Sequence, residues 1–344
     1  MVHMRIVVPA HQAEHVLDLL EHTPSAVNVI FLERAARKPE GDVILCDIPR
    51  EYTSILVSDL RELDIDTEGS IAIEHIDSAI SSIAAQAESE AEGHPGDAVV
   101  WEEVESRTSE NTELNGVFLA FMALACMIAA VGIFLDSPIL IVGAMIVGPE
   151  FGPIAGLCVA LVQRRRDVAR RSLRALVIGF PVGITAAFFF AHTIDITGLT
   201  PEDFTVSDHP LTGFISDPDA FSFIVAFLAG VAGVLSLTSA KSGALIGVLV
   251  SVTTIPAAAN IGVAAAYSEW GEWGGAMLQL ALNLTAIVLA GVATLYVQRV
   301  AYVRRRHAHL HDVAREAAGL PLGRSRNVGD AGYGKPPRET EAPR

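Results

Sequence analysis

The stretch LDSPILIVGAMIVGPEFGPIAGLCVAL, residues 135–161, decides the class of this chain. From Ser137 to Leu161 it carries one charged residue, Glu150, and it is longer than the roughly 20 residues a helix needs to cross a bilayer. Pro149 and Pro153 bracket Glu150 in the middle of the run. Proline removes a backbone donor and clashes with the preceding turn, so a break is expected there, with carbonyls freed near mid-membrane. Neighbouring helices can repair such a kink; a water or solute path can also use it.

Outward from this stretch, five more apolar segments of similar length follow the same rule. The six expected transmembrane helices are 115–135, 138–162, 173–194, 220–238, 243–267 and 276–298. Basic residues orient them. QRRRDVARRSLR (163–174), Lys241 and QRVAYVRRRH (298–307) follow the second, fourth and sixth segments and belong on the cytosolic side. The alternate connections carry acid instead: Asp136, then Glu202, Asp203, Asp208, Asp217 and Asp219, then Glu269 and Glu272. Both termini are therefore expected in the cytosol of a prokaryotic (inner) membrane protein, and no signal peptide is expected ahead of MRIVVPA.

Composition agrees with a chain of unlike parts. It is 51% apolar yet has a formal net charge of −16 over 344 residues. The acid excess sits outside the apolar middle and argues against nucleic acid as a partner, which would want clustered Lys and Arg. Cys46, Cys126 and Cys158 are scattered and odd in number, so they read as buried small hydrophobes and no disulfide is expected.

Residues 1–78 alternate strand and helix signals in the order β-α-β-β-α-β, a ferredoxin-like split βαβ unit. The strands are read at 5–10, 25–33, 43–49 and 70–76, with a turn at KPEGD (38–42). The first helix (11–22) turns Val16, Leu19 and Leu20 inward, and the second turns Ile55, Leu56, Leu60 and Leu63. His11, His15 and His22 on the first helix read as a solvated face. Residues 79–114 read as an acidic helical linker and juxtamembrane segment with a break at Gly93–Gly96. The apolar domain spans 115–300, and 301–344 is a basic and then disordered tail, in which HAHLH (307–311) reads as a solvated helix end.

A faint internal repeat relates 135–161 to LTSAKSGALIGVLVSVTTIPAAANIGVAAA (237–266). Each copy follows an LxS turn, reaches a proline break and resumes as a helix of small residues. The first copy starts outside and the second inside, which makes three helices plus three of opposite topology. Paired breaks of this kind point to a solute path. Its candidate lining is Glu150, Pro149 and Pro153 in the first copy and Ser251, Thr253, Thr254, Pro256 and Asn260 in the second. Gln279 and Asn283, four residues apart on the sixth helix, complete the set. A carboxylate at mid-membrane costs roughly 2.5–3.5 kcal/mol on insertion scales, so Glu150 is expected to face a cavity or a partner. Each polar residue taken singly also fits an interhelical hydrogen bond. Gly148, Gly152 and Gly156 form a small-residue stripe suited to close helix packing.

No Ser/His/Asp grouping, nucleotide loop or HExxH motif occurs, so no enzymatic activity, metal or cofactor is expected. SPILIVGAMIVGPEFGPIAGL (137–157) with its basic loop, AGVAGVLSLT (229–238), the proline-containing fifth helix and NLTAIVLAG (283–291) together resemble an uncharacterised family of prokaryotic integral membrane proteins, domain of unknown function 389, over about 115–300. The resemblance implies no substrate. Relatives tend to carry an apolar residue at the position of Glu150 and a doubled proline where this chain has Ile255-Pro256. Two readings of function follow. One is a secondary transporter or channel for a small solute or ion, regulated by residues 1–78. The other is a membrane-anchored metabolite sensor or oligomeric scaffold without transport. Either is expected to form a homo-oligomer in the lipid bilayer.

Overall fold

The computed structural model describes residues 1–76, 81–90, 99–201, 204–205, 213–215, 219–239 and 253–325. The chain divides into two compact units, one formed by residues 1–102 together with 298 onward, the other by residues 103–297.

In the first unit, strand β1 (Val2–Val8), helix α1 (Ala13–Glu21), strands β2 (Val27–Arg37) and β3 (Glu40–Ile48), helix α2 (Arg50–Glu62), a single turn α3 (Ile65–Glu68) and strand β4 (Ser70–His75) follow in the expected order. The sheet runs β2-β3-β1-β4 with every neighbouring pair antiparallel. Period-two alternation sets its inward face: Val2, Met4, Ile6 and Val8 of β1 lie beside Ile44, Cys46 and Ile48 of β3 in one core. Val16, Leu19 and Leu20 of α1 and Leu56 and Leu60 of α2 close that core at helical spacing. Cys46 is buried there, and desolvation, aided by the neighbouring Asp47 charge, pushes its thiol from 9.0 up to about 12. All three cysteines are free and buried.

Helix α4 (Ser82–Glu90) and helix α5 (Trp101–Asn111) follow. The break expected at Gly93–Gly96 lies outside the described residues. Trp101 is fully buried, its backbone N–H donates to Ser54 Oγ at 3.0 Å, and its ring meets Tyr302 edge-on.

The C-terminal segment departs from the expected tail. Residues up to Ser325 fold into the first unit, with a short helix at Val313–Ala317 and with Ala314, Ala318 and Leu320 in the core of the sheet. Three of its basic residues, Arg306, His309 and Arg315, are ion-paired and buried. Asp59 and Glu62 of α2 face Arg306, which bonds Glu62 Oε1 at 2.7 Å, and Arg315, which bonds Glu62 Oε2 at 2.8 Å and also pairs with Asp59. His309 is buried as well: Nε2 lies 2.7 Å from Asp59 Oδ2 and Nδ1 3.3 Å from Asp312 Oδ2. The middle residue of HAHLH is thus no solvated helix end; two carboxylates surround it. Burying so many charges is tolerable because each meets an opposite one with hydrogen bonds.

The second unit is helical. Helix α6 (Gly116–Phe134) opens on Asn115, whose Oδ1 accepts from Phe118 N at 2.8 Å. Helices α7 (Pro138–Val147) and α8 (Phe151–Gln163) form one apolar passage bent by 55°. Helix α9 (Arg166–Thr197) contains Pro181, and α10 (Ala220–Thr238) opens on Asp219, whose Oδ1 accepts from Ser222 N at 2.7 Å. Helix α11 (Thr254–Ala266) and residues 270–297 of helix α12 (Trp270–His309) complete it, so the helix at Val313–Ala317 is α13. Helices α6, α9, α10 and α12 are long and apolar enough to cross a membrane, and the bent pair makes up to five spans. The expected fifth span, 243–267, is described only as α11. At 13 residues and 1.5 Å per residue α11 is too short to cross alone, and the rest of that segment lies outside the described residues. Six spans are therefore not established. Lys241 and the acidic Glu202, Asp203, Asp208 and Asp217 lie outside the described residues too.

Helix α11 is the centre of the second unit. Every residue from Thr254 to Ala264 is buried, and the helix packs on α6, α7 and α9. A helix apolar all round has to be enclosed by others.

Candidate site at two helix openings

Helix α7 stops at Val147 because Gly148 takes an extended conformation and Pro149 follows it. The chain turns, and Glu150 becomes the residue that opens α8. Helix α11 opens after Thr253, and the residues ahead of Thr253 lie outside those described. Both helices have 13 residues, and Pro153 and Pro256 each occupy the third position. The first intrahelical bonds run from Ile154 N to Glu150 O at 3.1 Å and from Ala257 N to Thr253 O at 3.3 Å. The two prolines thus replace N–H groups that have no intrahelical acceptor anyway. The sequence reading placed them as kinks that free carbonyls; in the structure they begin helices, and the turn at Gly148-Pro149 makes the break.

The two openings meet. Glu150 is 4% exposed, and its Oε1 accepts from Thr254 Oγ1 at 2.8 Å. Its Oε2 has no hydrogen-bond partner among the described residues. Gly148 allows the approach: a Cβ there would overlap Glu150 Oε2 and come within 2.6 Å of Ile255 Cγ1. The partly positive N-terminal ends of α8 and α11 both lie next to this carboxylate.

From the same turn of α11 a second polar line runs to α12. Asn283 Nδ2 donates to Thr253 Oγ1 at 2.7 Å, and Gln279 Nε2 donates to Asn283 Oδ1 at 3.4 Å. Gln279 and Asn283 are each 1% exposed. Thr253 and Thr254 are adjacent, so Glu150, the start of α11 and the polar face of α12 form one connected group. Gln279 Oε1 and Asn260 Oδ1 are buried without a partner among the described residues. Asn260, two turns into α11, is bonded to none of the others among the described residues. Ser251 lies outside the described residues.

The glycine stripe divides. Gly148 faces Ile255 and Glu150, whereas Gly156 faces Thr112 and Ser172 of other elements. Gly152 is half-buried in the first turn of α8. Sequence reasoning did not single out Ser172 or Gln163, both buried, whose side-chain polar atoms have no partner among the described residues. Gln163 borders the basic loop and read as a membrane boundary. Only the packing of α8 shows that it is enclosed. Among the described residues no group of three or more His, Cys, Asp or Glu side chains is placed to hold a metal ion.

Residues 145–289, from the last turn of α7 through the polar face of α12, match the family described as "Domain of unknown function (DUF389)", the family that the sequence motifs resemble. Over 207 residues, 60% of this chain, the sequence is 25% identical to an uncharacterized protein of Methanocaldococcus jannaschii. The match spans 61% of that relative's length. No solved structure matches.

Proposed function

We propose that this chain moves a small solute or ion across the prokaryotic cytoplasmic membrane, along a path that passes Glu150 where α8 and α11 begin. One observation carries the reading: the hydrogen bond from Thr254 to Glu150, which joins the openings of two short helices. Packing alone needs no acidic residue at such a junction, and a buried carboxylate with one oxygen unpartnered among the described residues is costly unless a cation, a proton or a solute meets it. Half-helices whose N-termini face a shared site are the usual construction of solute sites in transporters. The equal length of α8 and α11 and the matching prolines support a 3+3 inverted repeat. The reading includes six spans with both termini in the cytosol, a regulatory role for the first unit, and no catalysis.

Assembly with further copies belongs to the same proposal. Strand β2 lies at the edge of the sheet and exposes Ile30, Phe31 and Leu32, a run that soluble edges usually avoid.

Purified protein in sealed liposomes tests the function. With a panel of monovalent and divalent ions and small organic cations and anions, at least one solute is expected to cross faster than in protein-free liposomes. Folded protein that moves none of them would turn the reading towards a membrane-anchored sensor.

A further inference from the structure

The first unit encloses a cavity of about 250 Å³ between α2 and the C-terminal segment. Glu51, Tyr52, Arg305, His309, His311 and Asp312 are among its lining residues. Two of these are engaged elsewhere: His309 between Asp59 and Asp312, and Asp312 with His309 and with the N–H of Ala314. Glu51 and Arg305 are not. Glu51 is 5% exposed, and neither of its carboxylate oxygens has a hydrogen-bond partner among the described residues. Arg305, half-buried, makes no ion pair among the described residues, and no ion pair joins it to Glu51.

This arrangement contrasts with a group of buried charges nearby that are paired. Within a few residues, Asp59, Glu62, Arg306, His309 and Arg315 satisfy one another. An ionised carboxylate out of water costs several kcal/mol unless something charged or hydrogen-bonding meets it. The wall of this cavity thus carries an acid and a base that are not ion-paired with each other among the described residues. We infer that the cavity binds a small zwitterion, a free amino acid, with its ammonium on Glu51 and its carboxylate on Arg305. A planar guanidinium suits a carboxylate through two parallel hydrogen bonds, and a buried carboxylate suits an ammonium. Tyr52 and the exposed His311 are left to select the side chain. The site needs both ends of the chain, since α2 supplies Glu51 and the segment after Tyr302 supplies Arg305. It stands whether or not the second unit transports.

The test is calorimetric titration of the full-length protein in detergent with each of the twenty common amino acids, beside butylamine and butyrate as single-charge controls. At least one amino acid should bind saturably, with either control at least about tenfold weaker, because each charged contact contributes on the order of 1.5–3 kcal/mol. Glu51→Gln and Arg305→Ala should each weaken that amino acid by about tenfold or more. Arg305 is half-buried and makes no ion pair among the described residues, so its variant reads the site even if Glu51→Gln fails to fold. No saturable binding of any amino acid at millimolar concentration overturns the inference. Equal binding of butylamine and the amino acid, or binding unchanged in Arg305→Ala, overturns it as well.

Discussion

The Thr254 hydroxyl donates to Glu150 Oε1 across 2.8 Å, linking residues 104 positions apart at the openings of two separate helices. Replacing Thr254 by Val keeps the shape and removes the hydroxyl that donates to that carboxylate. Thermal unfolding in detergent should then show a loss of about 1–2 kcal/mol. Thr253→Val, which loses the neutral bond from Asn283, should cost less, about 0.6–1 kcal/mol. Equal and negligible effects would mean that the two openings are not held together by these hydroxyls.

Gly156 and Gly143 make a matched pair. A Cβ on Gly156 would overlap Thr112 Cγ2 and come within 2.8 Å of Ser172 Oγ, whereas a Cβ on Gly143 meets nothing within 4 Å. Gly156→Ala is expected to destabilise by about 1–3 kcal/mol through overpacking. Gly143→Ala is expected to be neutral or stabilising by up to about 1 kcal/mol, because alanine loses less backbone entropy in a helix. Melting temperatures of the two variants in one detergent check the contrast.

The buried ion group of the first unit predicts a severe effect from a single charge. Asp59→Ala leaves Arg306, His309 and Arg315 short of their shared partner and should cost about 3–5 kcal/mol. Termination after Asp312 removes Arg315 and leaves Asp59 and Glu62 under-compensated, so limited proteolysis should then cut residues 1–76 much faster. Unchanged proteolysis would show that the C-terminal segment does not hold that unit.

Cys46 gives a pH prediction. Its thiol is raised from 9.0 to about 12, chiefly by burial, so it stays protonated in the fold where an unfolded cysteine would ionise. The neutral thiol is favoured by the folded state. Its contribution to stability is therefore complete below pH 9 and is lost as pH rises from 9 towards 12. Alkylation at pH 8.5 should leave Cys46 unmodified until denaturant is added, as read by mass spectrometry of the peptide that contains it.

The legible parts of this molecule were those written in local spacing. The β-branched runs read at 5–10 and 43–49 marked two strands of the sheet, and Leu56 and Leu60 marked the inner side of α2. The four-residue step from Gln279 to Asn283 placed both amides on one side of α12, and the cost of Glu150 pointed to the first break. The C-terminal segment was not legible in this way. Arg306 and His309 are spaced like a basic, solvated helix end, and nothing local reveals that Asp59 and Glu62, more than 240 residues earlier, neutralise them. The matching three-residue steps, Asp59 to Glu62 and Arg306 to His309, are the one signal that sequence held. The prolines misled for a different reason: their spacing marks an interruption, but only backbone geometry tells a kink from a helix that begins anew.

The initial rate of solute flux in liposomes holding Glu150→Gln, set against wild type at equal protein orientation, tests the account at its centre. The substitution keeps the size of the side chain and an acceptor for Thr254 while removing the charge. The account predicts a rate at least about tenfold lower for the solute that wild type moves, since the lost charge is worth on the order of 1.5–3 kcal/mol at the site. A rate equal to wild type, from folded protein, would contradict a path past Glu150.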